Sequence, residues 1–216
     1  MSKHFESSVC GQFSGDLRAL GYEAQGCLFV RRNEGLRGTV WLVEGVSSLK
    51  DRFMPRLSVG LDALGPDVAV LSRDLHQLVN PGAHTLWYSW AKGSESIDEA
   101  KRDLLTHGLP WLAKHRTLPG LTEALEQQQH SPGEVARQPW WHLGRQQARS
   151  SPPRANLNVL QALSLAYELQ GRYDQAIDAW RSYIAGHSQL RKGTELERLL
   201  TERLESLNAA RDKSTG

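Results

Sequence analysis

Four acidic side chains, Glu44, Asp62, Asp67 and Asp74, fall near the ends of beta-prone runs. Carboxylates gathered from separate loops could act as general acid and base, or share a metal ion. Such chemistry needs two of them at a controlled separation, which linear sequence does not supply. Asp62 directly precedes Ala63-Leu64-Gly65-Pro66, so its plainer role is to organise a turn. Eight histidines widen the acid–base and metal-ligand options. No His-Glu-x-x-His helix occurs among them. His107 and His115 straddle an expected helix break, while His76 and His84 flank a polar turn at Asn80-Pro81-Gly82. These histidines read as surface, turn-bonding or packing side chains. Cys10 and Cys27 form no Cys-x-x-Cys pair, and neither a Gly-x-Ser-x-Gly elbow nor a phosphate loop with its lysine is present. Both cysteines read as structural thiols, Cys10 packed and Cys27 opening a strand. The expectation is a chain that is not an enzyme, with no catalytic, cofactor-binding or metal-ligating residue and no cofactor.

Binding chemistry is better represented. Trp140, Trp141, Arg145 and Arg149 lie close together in a segment that carries no acidic residue from Val135 to Tyr167. Indole and guanidinium groups combine apolar area with directional hydrogen bonds, the combination found at binding hot spots. These four are the expected partner-binding residues. The same segment could instead cover the chain's own surface, and its four arginines are too sparse to mark a nucleic-acid site. Net charge agrees: residues 1–130 hold 14 Lys/Arg and 15 Asp/Glu, residues 131–216 hold 12 and 9, for a total of +2.

The elements that must position these groups follow from periodicity. Phe5, Val9, Phe13, Leu17 and Leu20 share a helical face suited to packing on a sheet. Short beta-prone runs follow at Cys27–Val30, Thr39–Val46, Arg56–Asp62 and His84–Trp90, with Leu57, Val59 and Leu61 on a core face and their neighbours toward water. Strands this close, without helix-length crossovers, predict an antiparallel meander. Ser96 with Glu99 three residues on predicts a helix start, Gly108 a helix stop, and Pro110 a new helical turn. Prolines at 132, 139, 152 and 153 then mark a connector. The predicted organisation is an α+β domain over 1–130 with about four antiparallel strands and flanking helices, a proline- and arginine-rich connector with a short helix over 131–156, and three helices over 157–211.

In the last segment Leu160, Leu163, Tyr167, Gly171, Tyr173, Ala176, Trp180 and Tyr183 resemble a single tetratricopeptide repeat over about 157–190, with Leu196, Leu199, Leu200, Leu204 and Leu207 as a capping helix. A single repeat points to a docked three-helix unit more than to a peptide groove. Leu17-Arg18-Ala19-Leu20-Gly21-Tyr22, Cys27-Leu28-Phe29-Val30-Arg31, Leu57-Ser58-Val59-Gly60-Leu61 and His107-Gly108-Leu109-Pro110-Trp111-Leu112 carry a further likeness: across residues 13–125 the chain resembles a bacterial family of domains of unknown function, number 4304. It implies an α+β fold and no catalytic residue, and some such domains accompany toxins as immunity proteins.

Two cysteines, no export-type leader and no long apolar run predict a cytoplasmic chain without a membrane segment. The leading expectation is a bacterial non-catalytic interaction protein that neutralises a cognate toxin by binding it. The alternative is a small hydrolase or nucleic-acid-processing enzyme using an acid and a histidine such as Asp62 and His84.

Overall fold

The computed structural model of the chain describes residues 3–65, 68–81, 87–91, 94–130, 157–186 and 194–215, which fall into two compact units, Met1–Thr117 and Leu118–Gly216. In the first unit β1 (Glu23–Gln25), β2 (Leu28–Asn33), β3 (Leu36–Glu44), β4 (Arg52–Leu61) and β5 (Leu71–Asp74) pair in chain order. A short β6 (Tyr88–Ser89) returns to Arg52 and Phe53 of β4, and every described pairing is antiparallel. Six strands are described where about four were expected. The three residues of β1 and the four of β5 are too few to show a two-residue alternation, so pairing rather than pattern defines them.

Register builds the core. Phe29, Val40 and Leu57 stand side by side across three strands, and all three are fully buried. Glu34 and Gly35 form the two-residue turn between β2 and β3 with φ of 50° and 75°, the left-handed pair that suits strand twist. Gly38 lies inside β3 opposite Arg31. The second face of β4, expected to meet water, is not open either: Met54 and Gly60 are buried and Ser58 half-buried. The chain after β4 returns over Gly60 so tightly that a Cβ there would stand 2.6 Å from the Val68 carbonyl oxygen.

Helices cover the core face. The first comprises α1 (Lys3–Phe5), a wide π-turn Glu6–Cys10 and α2 (Gly11–Ala19). Its buried residues Phe5, Val9, Phe13 and Leu17 recur every four positions. On a regular helix that spacing drifts about 40° per step, and one wide turn takes the drift back, which keeps the stripe on the sheet. Leu20 is 40% exposed, because Gly21 at φ 81° ends the helix and Tyr22 N donates back to Leu17 O at 3.0 Å.

The remaining helices of this unit are α3 (Leu75–Val79), α4 (Ser94–Asp103), a second π-turn Leu104–Gly108, and α5 (Leu109–His115). Ser96 sits inside the first turn of α4 and does not cap it; its Oγ accepts from Ser89 N at 3.0 Å, a donor that only the sheet edge supplies. Gly108 does not stop the helix. It keeps helical angles, φ −70° and ψ −51°, because the helix crosses the sheet there: an added Cβ would lie 2.8 Å from Leu104 Cδ1 and 3.2 Å from Leu57 Cδ1.

Cys10 and Cys27, read as separate thiols, are joined in a disulfide with a Cα separation of 5.1 Å. The bond ties the first helix to the start of β2, and both sulfurs are buried. Stripe and strand each point inward there, so two cysteines that look unrelated in sequence face one another. The pairing withdraws the support that free thiols lent to a reducing compartment.

The second unit stacks α6 (Leu118–His130), α7 (Leu157–Leu169), α8 (Tyr173–Gly186) and α9 (Glu195–Thr215), each against the next. Gly171 at φ 70° closes α7, with Arg172 N donating to Tyr167 O at 2.9 Å. Ala176 is fully buried, Tyr167 and Trp180 nearly so, and Trp180 Nε1 donates to Leu200 O at 3.0 Å. Leu200 and Leu207 of the expected capping face are buried, whereas Leu196 and Leu199 are exposed.

Replacing Gly108 by Ala is expected to lower stability by about 1–3 kcal/mol through overpacking, despite better helix propensity. A denaturant midpoint equal to or above that of the parent would contradict the close crossing. Reducing the Cys10–Cys27 bond, or replacing both cysteines by Ala, should remove about 3 kcal/mol, the loop-closure value for a separation of this size. Paired urea titrations with and without reductant measure it.

Candidate functional site

The carboxylates that suggested acid–base chemistry are held by arginines. Arg37, 5% exposed, donates to Asp62 Oδ1 at 3.2 Å and to the carbonyl oxygens of Gly65 and Val68 at 3.1 Å each. It clamps the chain segment that leaves β4, which is the turn-organising role expected of Asp62. Asp74 accepts from Arg56 Nε at 2.7 Å and also caps α3 in a reciprocal box with Gln77. Asp74 pairs across from Arg56, and Asp62 lies six residues further along the chain of β4, about 20 Å at strand rise. Paired-carboxylate hydrolysis works at less than about 10 Å. Glu44, opposite Phe53, is at the other end of β3. Asp67 and His84 lie outside the described residues, and with them the suggested Asp62–His84 pocket.

His76 is buried on α3, and its Nδ1 has no described partner. Burial holds its pKa below the usual imidazole value, with the negative charge of Asp74 acting in the other direction. His107 is exposed on the second π-turn, whereas His115 Nδ1 lies 2.8 Å from Trp111 O and its ring packs on that indole. Among the described residues no group of three or more His, Cys, Asp or Glu is placed to hold a metal ion, and no helix is long and apolar enough to cross a membrane. Trp140, Trp141, Arg145 and Arg149 all lie outside the described residues.

A site that sequence reasoning missed sits where β6 meets α4. A cleft of about 390 Å³ is lined by Arg52, Trp87, Tyr88, Glu95, Ser96 and Glu99, among others. Its floor is tied down: Tyr88 donates its hydroxyl to Asp103 Oδ2 at 2.6 Å, and Ser89 N donates to Ser96 Oγ at 3.0 Å. Burial first, and then the bond to Asp103, push the Tyr88 pKa far up and keep its hydroxyl neutral. Glu95 and Glu99 stand one helical turn apart on α4 and are exposed; Trp87 is half-buried beside them. An indole next to two carboxylates recognises cations, through the ring face and through charge. The signal was present in Ser94-Glu95-Ser96-Ile97-Asp98-Glu99, but that segment reads first as a helix start. Comparison with protein-family models, curated proteins and solved structures returns no match to this chain.

His76 makes stability fall as the solution is acidified. Its folded pKa is lowered from an unfolded value of about 6.5, so the unfolded chain takes up the proton first. The stability due to the neutral ring is complete above that pH and is lost as pH falls toward the folded value. An imidazole resonance of His76 that titrates below 6.5 in the folded chain is the expected NMR result; titration at or above it would refute the buried neutral ring.

Proposed function

We propose that the chain is a non-catalytic protein-interaction module, and that its role is neutralisation of a bacterial toxin by binding. The observation that carries the reading is the cleft at the β6–α4 junction, where Trp87, Glu95 and Glu99 are exposed or half-buried on a floor fixed by two hydrogen bonds. A basic side chain on a partner fits that composition: its ammonium or guanidinium group meets two carboxylates and its stem lies on the indole. The engagement of Asp62 and Asp74 by Arg37 and Arg56 supports a scaffold reading of the acids most suggestive of hydrolysis. The likeness of residues 13–125 to the bacterial family numbered 4304, and of 157–190 to a tetratricopeptide repeat, belongs to the same proposal. So do Trp140, Trp141, Arg145 and Arg149 as contacts from the connector.

Titration calorimetry of the full chain against the product of each neighbouring gene tests the proposal. One of them is expected to bind, and Trp87→Ala or Glu99→Arg to weaken it by about tenfold or more, the size of a hot-spot loss. Binding to none of these products would sink the reading; full-strength binding by Trp87→Ala with loss in Trp140→Ala/Trp141→Ala would move the contact to the connector.

A further inference from the structure

At the rim of the helix-covered face of the sheet two arginines come together with no carboxylate between them. Arg31 of β2 lies directly opposite Gly38 of β3, in the row next to Phe29 and Val40, and is exposed. Its guanidinium runs against Gly21, where a Cβ would stand 3.6 Å from Nε. Arg116 arrives from the end of α5, and its stem lies across Gly38 so closely that a Cβ there would be 3.1 Å from Cδ. Both charges act on the hydroxyl of Tyr22, the 5% exposed residue that the Gly21 bend turns back toward the sheet. They also act on one another: burial lowers the Arg116 pKa, and the charge of Arg31 lowers it further.

Of the other arginines in this sheet, Arg52 and Arg73 have no carboxylate partner among the described residues, and three do. Arg32, Arg37 and Arg56 are each paired with a carboxylate, Glu23, Asp62 and Asp74. Glu23 is opposite Val30 and therefore on the other face from Arg31. Among the described residues neither Arg31 nor Arg116 makes a side-chain ion pair or hydrogen bond, and Nη1 of Arg116 is buried without a partner. An unmatched guanidinium donor out of water is costly, and a like charge beside it adds to the cost. The ends of α2 and α5 offset part of this through their dipoles, but offer no acceptor matched to two guanidinium forks.

We propose that Arg31, Arg116 and Tyr22 form a binding site for a phosphate dianion, free or as a monoester, with the two arginines as the forks and the neutral Tyr22 hydroxyl as a further donor. A doubly charged, three-oxygen acceptor matches two planar guanidinium groups better than a carboxylate does. The glycines are part of the design, since any side chain at Gly38 takes the space of the Arg116 stem.

The full chain, titrated with inorganic phosphate, phosphoserine and acetate at constant ionic strength, tests this by calorimetry and by the arginine Nε–Hε NMR signals. Saturable phosphate binding that moves the Arg31 and Arg116 signals is expected, with acetate much weaker. Tighter binding of phosphoserine assigns the site to a monoester, and tighter binding of inorganic phosphate assigns it to the free ion. Arg31→Gln, at an exposed position, should weaken binding about tenfold or more without lowering the unfolding midpoint, since it removes a like charge from beside Arg116. Gly38→Ala should weaken it too, with every charge retained. No saturable binding, equal binding of acetate, or undiminished affinity in Arg31→Gln would overturn the proposal.

Discussion

The pairing of β3 with β4 is the constraint on which the first unit rests. It is the longest ladder in the sheet, running from Leu36↔Leu61 to Glu44↔Phe53. Because side chains alternate, this one register decides both faces together, and a slip of one residue would exchange them. It sets Val40 beside Leu57 under the helices and Thr39 beside Ser58 on the reverse, where their hydroxyls bond. It also places Arg37 level with Gly60, the gap through which its guanidinium reaches Asp62 and the Val68 carbonyl. Gly108 can cross close above Leu57 only because that side chain is held in this row.

From that register follows a division of charges. On the reverse face Arg32, Arg37 and Arg56 are matched with Glu23, Asp62 and Asp74, the last two pairs fixing a loop and a cap, while Arg52 of the same face lines the cleft at the β6–α4 junction. On the rim of the helical face Arg31 and Arg116 meet unmatched, while at the β6–α4 junction Glu95 and Glu99 stand beside an indole. Surplus charge of one sign at each place suits recognition of oppositely charged groups. The second unit spends its polar groups internally, as in the bonds of Tyr167 to Glu126, Gln170 to Thr122 and Ser164 to the Ala176 carbonyl.

Much of this architecture is legible in the residues. The stripe from Phe5 to Leu17, the alternation of Leu57, Val59 and Leu61, and the Tyr167–Ala176–Trp180 set each state their burial in a local period. What is not legible depends on contacts distant in sequence. Gly108 has the composition of a helix stop, and only Leu57 and Leu75 beneath it make a helical glycine the better choice. Ser96 looks like a cap until β6 offers it a backbone N–H. Cys10 and Cys27 carry no mark of pairing, because their facing depends on a helix and a strand meeting. The same holds for the sites: Arg31, Arg116 and Glu95 belong to no motif, and Glu99 reads as part of a helix start. The aromatic and arginine contacts expected at 140–149 lie outside the described residues.

Native-state hydrogen exchange on the full chain tests the central constraint most directly. The hydrogen-bonded amides of β3 and β4, from Val40 to Leu42 and from Leu57 to Val59, are expected to be among the slowest of the first unit and to exchange only with its global unfolding. Exchange in these strands as fast as in the short β1 or β6 would contradict it, because the register that places both charged sites would then not be what holds the unit together.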